Sequence, residues 1–531
     1  MKNLLRVMII LVLCGAAFAG GIVTNTNQSA EFTRTLNRNA STELDAVYFN
    51  PAGISMLPDG FHLYLSSQTI SQGREITSDV ATLHNEMFEG TTFAPVFPNV
   101  YFAYKTGKIG IAGGFMPIGG GGSAEYPDGL PSFEVPASVL PASLVAAGIP
   151  TTDYSLDVSF EGSSNYFAGQ LNLSYAINDM LSVAVGGRYF MANNSYDGYL
   201  KDIMIDPTYP AAGFDGSMTS APAFFTTMSA ALTGVATQAS GAAASLQPAI
   251  DGGYGDVTFD NLVLGGGITQ AEVDALAAGA TGLGIPFDSS VATPNMIQPA
   301  FETAAAGYTA QAAGMDANAA ATQDIEVKAK QTGSGFAPIV GLNINLMDKL
   351  NIGLRYEMLA PMTLTNDTEV DGSGLFTDGD ETPADMPAML GLGVSYLVMP
   401  SLRVEFDYNL YFNEDVDWGG KEAYVDNGNE IGFAAEFALS DALLLSGGYL
   451  ISTGGATEAY QTDLSYSLNS STLGLGARYT LNPATALTVG FSNTFYEEGT
   501  KSGVDYRGLI TGTETYMKSA IVFALGLQRS F

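Results

Sequence analysis

The sequence holds 531 residues, 46% of them hydrophobic, with 20 basic and 54 acidic side chains and one cysteine. Such acidity argues against nucleic acid and against polybasic lipid docking, and one cysteine excludes a disulfide framework. Beyond residue 19 no strongly apolar run reaches the roughly 18 residues that a membrane-spanning helix needs; the charge-free run Gly216 to Ile250 is mostly Ala, Thr, Ser, Gly and Gln and carries Pro222 and Pro248.

Residues 1–19 read as a secretory signal. Lys2 and Arg6 precede the apolar run Val7 to Leu13, and Ala17-Phe18-Ala19 is a small-residue cleavage site. Leu13 is not the small residue that a lipoprotein box places before its cysteine, so lipidation of Cys14 is not expected. Cleavage after Ala19 removes that cysteine and two cations, leaving 18 basic against 54 acidic residues, a net charge of −36 and no thiol for a disulfide or a thiolate metal site. Residues 20–55 form a polar, small-residue segment ending in Asn50-Pro51-Ala52-Gly53. This run is a turn by local chemistry: proline fixes φ, the residue before it is pushed out of the α region, and glycine tolerates φ > 0.

From residue 56 onward, alternating apolar and polar residues are the dominant signal. Leu181 to Tyr189, Leu350 to Met358, Leu402 to Leu410 and Leu473 to Leu481 each carry one apolar face and one small or charged face. Fourteen such segments are predicted, at 60–74, 97–105, 108–118, 157–177, 180–205, 323–346, 350–367, 385–398, 401–413, 429–439, 442–452, 469–481, 485–499 and 515–531. A lipid-facing exterior with a polar lumen explains both faces, and an even strand number suits a single-chain bacterial barrel. Tight turns at Thr106-Gly107, Asn178-Asp179, Met347-Asp348-Lys349, Met399-Pro400, Ser440-Asp441 and Asn482-Pro483-Ala484 alternate with the long connections 119–156, 206–322, 368–384 and 414–428. The fold class is therefore all-β, a 14-stranded antiparallel transmembrane barrel. Its short turns are expected on the periplasmic side and its long loops outside.

The plug-like segment with Asn50-Pro51-Ala52, the fourteen strands and the final strand with Phe523, Leu525 and Leu527 ending in Phe531 resemble the FadL-type family of outer-membrane transporters for long-chain fatty acids and other hydrophobic compounds. The terminal aromatic resembles the assembly signal read by the barrel assembly machinery, although Arg529 stands where an apolar residue is usual. The insertion 206–322 is longer than the family suggests. The resemblance implies an N-terminal plug (residues 20–55, motif Asn50, Pro51, Ala52 and Gly53) inside the barrel of residues 56–531. It also implies external capture of ligand, plug rearrangement, and lateral release through a wall gap at the third strand. Gly113, Gly114 and Pro117 are poor strand material and mark that gap; the alternative is an ordinary strand end running into the glycine-rich stretch 119–122.

Inside the insertion the period changes. Phe225, Met228, Leu232 and Val235 recur at helical spacing beside Phe224, with Ser220 and Pro222 at the start. Thr269-Gln270-Ala271-Glu272 reads as a capping box, and Ile297, Phe301, Tyr308 and Met315 form a third stripe. These stripes pack on one another as an extracellular subdomain, or they offer a ligand groove of Phe224, Phe225, Met228, Leu232 and Phe301, as external helical loops of the family do.

Arg188, Arg355, Arg403 and Arg478 fall on polar strand faces. They are candidates to hold a fatty carboxylate, Arg188 and Arg355 above all, or to pair with Glu357, Glu405 or Asp407 across the lumen. Only His62 and His84 are present, so a multi-histidine metal site is impossible, and no nucleophile motif accompanies either. The acidic runs Asp378 to Glu381 and Glu414 to Asp417 lack regular Ca²⁺-loop spacing. No catalytic residue, metal or cofactor is expected. The expected partners are hydrophobic small molecules and outer-membrane lipid, with a monomer in the outer membrane. A general porin, a surface-binding barrel and an outer-membrane hydrolase are the other readings.

Overall fold

The computed structural model describes Ile22 and Ser29 to Phe531; the signal (residues 1–19) and most of the first part of the plug lie outside the described residues. The chain divides into two compact units, one made mainly of residues 136–157 and 201–324, the other of the plug and the barrel wall.

The wall is a closed antiparallel barrel of fourteen strands. They are β1 (Gly60–Ser78), β2 (Met87–Thr106), β3 (Ile109–Tyr126), β4 (Tyr154–Ala176), β5 (Leu181–Ile205) and β6 (Ile325–Leu346). Then come β7 (Leu350–Glu357, resuming at Thr363–Asp371), β8 (Glu381–Pro383, resuming at Met389–Met399), β9 (Leu402–Tyr411) and β10 (Gly428–Ala438). Last are β11 (Leu443–Thr453), β12 (Ser470–Asn482), β13 (Thr485–Tyr496 with Gly499–Asp505) and β14 (Thr511–Ser530). β14 returns to β1 in a continuous register from His62↔Ser530 to Ser78↔Glu514, which closes the barrel. The seam is sealed below by Phe531, whose N–H donates to the Phe61 carbonyl at 2.8 Å and whose ring lies 5.9 Å from that of Phe61. The Arg529 guanidinium sits 5.2 Å over the Phe531 ring, so the unexpected cation is held by a cation–π contact.

The faces are inverted relative to a water-soluble sheet. On β13 Leu487, Val489 and Phe491 point outward and are exposed, while Thr488 and Ser492 are buried inside. The same holds for Leu473, Leu475 and Tyr479 outside β12, and for Arg188, Arg355 and Glu357 inside β5 and β7. All six predicted tight turns are found, and Met347 and Asp348 take the left-handed region in theirs.

Two strands are longer than the sequence suggested. β2 begins at Met87, not 97, because Gly90, Pro95 and Pro98 conceal the strand pattern. β3 does not end at 118. It continues through the glycine run to Tyr126, with bulges against β4 at Pro117/Gly119 and Gly119/Gly122. The alternative of an ordinary strand end is thereby overturned.

The plug carries α1 (Ala30–Thr35) and α2 (Ala46–Phe49), and α3 (Pro131–Ser138) and α4 (Leu140–Ala146) follow β3. The other unit is mainly helical. α5 (Ala221–Ala249) and α8 (Pro294–Ala321) pack together antiparallel, with Gln298 of α8 donating to Gln247 of α5 at 2.6 Å. Between them lie α6 (Phe259–Leu264) and α7 (Gln270–Leu283). The capping box forms as read: Thr269 accepts from the Glu272 N–H, and the Glu272 carboxylate accepts from the Thr269 N–H at 2.8 Å. Phe301, Ile297, Val273, Leu276 and Phe259 share one buried cluster.

Candidate functional site

The plug occupies the lumen. It is built from α1 (Ala30–Thr35), α2 (Ala46–Phe49) and a 3-10 turn at Pro51–Met56, and its side chains from Ser29 to Ile54 are almost all buried. Ser29 caps α1 by accepting from the Phe32 N–H at 3.2 Å.

Its seat is a track of glycines on β7, β8, β10, β11 and β12. A β-carbon at Gly353, Gly393, Gly432, Gly448 or Gly474 would collide with plug atoms between Thr33 and Ala40. The wall has no side chains at these points because the plug backbone lies directly on it.

Charges fix the seated plug. Arg34 pairs with Glu31 at 2.6 Å and with Glu436 of β10, both fully buried. Arg38 forks onto Asp45 at 2.5 and 2.9 Å and reaches Glu43 at 2.6 Å, while its N–H donates to Asp407 of β9. Arg478 of β12 also binds Glu43. Burial opposes ionisation of Glu43, but Arg478, Arg38 and Arg34 outweigh it and hold its carboxyl well below the usual range. Arg403 is paired as well, 2.5 Å from Glu436.

Asn50 links α2 to the 3-10 turn, which Pro51-Ala52-Gly53 begins. Asn50 is extended (φ −148°, ψ 76°), as a residue before proline should be. It donates to Asn343 of β6 at 2.8 Å and to the Ser41 carbonyl at 3.2 Å. The Ala52 carbonyl accepts from Ser182 of β5 at 2.8 Å. Gly53 corrects the sequence reading. Its φ is not positive; glycine is required because a β-carbon there would strike the Ser41 carbonyl.

Arg188 and Arg355 do not face an open lumen. Both lie over the Tyr48 ring of the plug, at 4.3 and 5.0 Å. Arg188 donates to Glu357 at 2.9 Å and to Gln170 at 2.9 and 3.0 Å, while Arg355 donates to the Tyr48 carbonyl. The expected pairing with Glu357 is therefore present, though it joins β5 to β7 over the intervening β6 and does not cross the lumen.

Beside Tyr48 lies an apolar cluster. It joins Phe32, Tyr48 and Phe49 of the plug to Tyr64, Tyr101, Met116, Ile118, Phe190, Met362 and Leu364 of the wall. On the β3 side this cluster meets a break in the wall. β2 and β3 pair from Thr106↔Ile109 to Val100↔Phe115 and meet again only at Thr91↔Glu125. Pro95, Pro98 and Pro117 bring no N–H to this stretch. Gly113 and Gly114 lie within the paired part, where a β-carbon would press on Phe102, Leu171 and Tyr101.

Lumen-facing Gln68, Asn99 and Tyr101 stand at the edge of the break. They are buried, and among the described residues their side-chain polar atoms have no partner. Sequence reading missed them; polar residues on inward positions next to Pro98 were the available signal.

The predicted groove residues are all packed away. Phe224, Phe225, Met228 and Leu232 are buried on α5, and Phe301 belongs to the cluster with α6 and α7. His62 accepts from or donates to Ser530 at 2.8 Å and contacts the Pro58 carbonyl at 2.9 Å, binding the two ends of the seam together. The His84 N–H donates to Glu134. Among the described residues no group of three or more His, Cys, Asp or Glu is placed to hold a metal.

A fourteen-stranded antiparallel barrel with a plug in its lumen is the FadL-type architecture. The structural comparisons agree. The chain is similar to a FadL homologue of Pseudomonas aeruginosa at 11% identity and a TM-score of 0.58, over 97% of this chain and 100% of that one. It is also similar to the Pseudomonas putida toluene transporter TodX at 12% identity and a TM-score of 0.52, over 96% of this chain and 100% of that one. A TodX ΔS2S3 mutant, described as a monoaromatic hydrocarbon channel, gives 13% identity and a TM-score of 0.52 over 95% and 99%. No family model and no curated protein matches the sequence. The chain has the FadL-type fold.

Proposed function

We propose that the protein is an outer-membrane channel that passes hydrophobic compounds inward by diffusion. The observation that carries this reading is the apolar cluster that runs from Tyr48 and Phe49 of the plug to Met116 and Ile118, at the β2–β3 break. A ligand on that cluster has an apolar route to the outside of the wall without crossing the plugged lumen. The outward apolar faces require a lipid surround, because so much contiguous apolar surface is not stable in water.

Rearrangement at Asn50-Pro51-Ala52 frees the cluster, and the break is the lateral exit. Gln68, Asn99 and Tyr101 supply the polar contacts of the exiting ligand. The helical unit takes up ligand first, with Phe224, Phe225, Met228, Leu232 and Phe301 opening as a groove. Neutral compounds, including aromatic hydrocarbons of the toluene type, are favoured over ionised fatty acids, since Arg34, Arg38, Arg188, Arg403 and Arg478 are already matched by carboxylates and Arg355 is turned onto the Tyr48 carbonyl. A monomer suffices for this path.

The test is native mass spectrometry of protein in mild detergent, with identification of co-purified small molecules, beside planar-bilayer conductance. A bound hydrocarbon or fatty acid with low conductance supports the channel. An empty protein with large, stable ion conductance overturns it in favour of a general porin.

A further inference from the structure

The wall is broken a second time. β6 and β7 pair from Leu346↔Leu350 to Ile339↔Glu357, the Met358 N–H donates to the Pro338 carbonyl at 2.9 Å, and pairing resumes only at Thr332↔Thr365. Gly333 to Ala337 of β6 keep their partners on β5, from Ala192 to Arg188. β7 stays with β8 through the Ala360↔Met386 bridge and the Ala384 N–H donating to the Met362 carbonyl at 2.9 Å. So β7 and β8 leave the β6 ladder together and step inward, with the Thr363 and Pro361 carbonyls against the inner side of Gly333 and Gly335. Pro338, Pro361, Pro383 and Pro387 bring no backbone donors to this stretch, so few hydrogen bonds are lost where the ladder breaks.

A recess of about 820 Å³ lies over this step, open to the outside and lined by Thr332, Ser334, Met362, Thr363, Asp385 and Asp417 among others. That is the size of a small-molecule site. It lies where the outer face changes character: Tyr189, Met191 and Phe336 are exposed and apolar on one side, Asn193, Thr332 and Ser334 exposed and polar on the other. Met362 belongs both to the cavity and to the apolar cluster around Tyr48, which reaches Met116 and Ile118 at the other break. One apolar interior thus reaches two breaks in the hydrogen-bonded wall.

We propose that the β6–β7 break is a second lateral port, taking an amphiphile with an apolar body and an uncharged, hydrogen-bond-donating end. The apolar body enters over Met362, Leu364 and Phe190. The polar end stays at the rim, donating to Asp417 or to the hydroxyls of Thr332, Ser334 and Thr363. Asp385 already accepts from the N–H groups of Met362 and Asp417 and holds the rim in shape. Two carboxylates disfavour an ionised acid there. The port rests on the channel reading above.

The experiment uses full-length protein in proteoliposomes and two photoprobes, a diazirine-bearing long-chain alcohol and the matching carboxylic acid, at neutral pH. Cross-links are mapped by mass spectrometry. The expected result is labelling of 332–334 and 361–365 by the alcohol, at least about tenfold above the acid. Ser334→Trp with Thr363→Trp fills the cavity and abolishes these cross-links, while Asp417→Asn narrows the preference in an otherwise intact rim. Labelling of the plug-side cluster without the β6–β7 segments overturns the port and leaves the channel standing. Equal labelling of those segments by both probes overturns the assigned ligand class. No labelling anywhere, with large ion conductance, overturns the channel and the port together.

Discussion

Asn50 of the plug and Asn343 of β6 are joined by a hydrogen bond of 2.8 Å across 293 positions of sequence. Asn343 in turn donates to Asn351 of β7 at 3.0 Å, and Asn351 donates to the Ala40 carbonyl at 2.8 Å. The turn is thereby latched to the wall through three amides. Asn50→Ala removes the latch and is expected to cost about 1–3 kcal/mol of plug docking, the range for a buried polar partner left unmade. Hydrogen exchange at residues 46–56 should rise while the strands remain protected. Unchanged exchange at these residues would show that the latch is idle.

Gly448 and Gly447 are neighbours with opposite surroundings. A β-carbon at Gly448 would collide with the Thr35 carbonyl, whereas at Gly447 it would meet the flexible end of Leu475 at 3.3 Å and the Gly474 carbonyl at an ordinary 3.7 Å. Gly448→Ala should unseat the plug at a cost of about 1–3 kcal/mol or more, seen as new ion conductance and protease cutting near residue 35. Gly447→Ala should leave conductance unchanged. Equal behaviour of the two would refute the seating track.

Arg188→Met leaves Glu357 buried beside Tyr48 without its cation. Breaking a buried pair by removing one partner costs about 3–5 kcal/mol, so the unfolding midpoint should fall clearly, and Arg188→Met with Glu357→Gln should recover much of it. If Arg188 instead serves a ligand carboxylate, the single variant loses fatty-acid binding with its midpoint preserved.

The Glu43 carboxyl is depressed well below its ordinary value by Arg478, Arg38 and Arg34, against the cost of burial. A depressed acid contributes stability that is present above its unfolded value and lost as pH falls through its folded one. Plug docking should therefore survive through the ordinary glutamate range, roughly pH 4–5, and fail only in stronger acid. Proteolytic protection of residues 29–57 against pH measures this, and Glu43→Gln should remove that share of the acid dependence. Release of the wild-type plug within the ordinary range would contradict the assignment.

Pro98→Val with Pro117→Val restores two backbone donors where β2 and β3 separate. If the separation serves exit, the variant should take up hydrocarbon severalfold more slowly with unchanged binding to detergent-solubilised protein. Uptake at the wild-type rate would remove the β2–β3 exit.

Much of the barrel was legible because its determinants are local. Alternation at Leu181 to Tyr189 or Leu473 to Leu481 fixes which face meets lipid, and turns such as Met347-Asp348-Lys349 set the strand order. The Thr269–Glu272 capping box was readable for the same reason: all its partners lie within four residues. The breaks were only half visible. Pro117 announced the first, but β2's part in it was hidden by Pro95 and Pro98, and Pro338 and Pro361 announced nothing until β6 and β7 were seen side by side.

The sequence by itself determined an inverted, alternating, fourteen-stranded wall with a polar segment ahead of it, because periodicity and turn chemistry act over a few residues. Only the tertiary structure decided that Gly53 answers Ser41 and not a positive φ, that Gly448 is a seat for Thr35, and that Arg188 is spent on Glu357 and Tyr48. Those facts depend on which atoms meet across hundreds of residues in a closed barrel, where steric contact and charge pairing are set by register and curvature, not by neighbours in the chain.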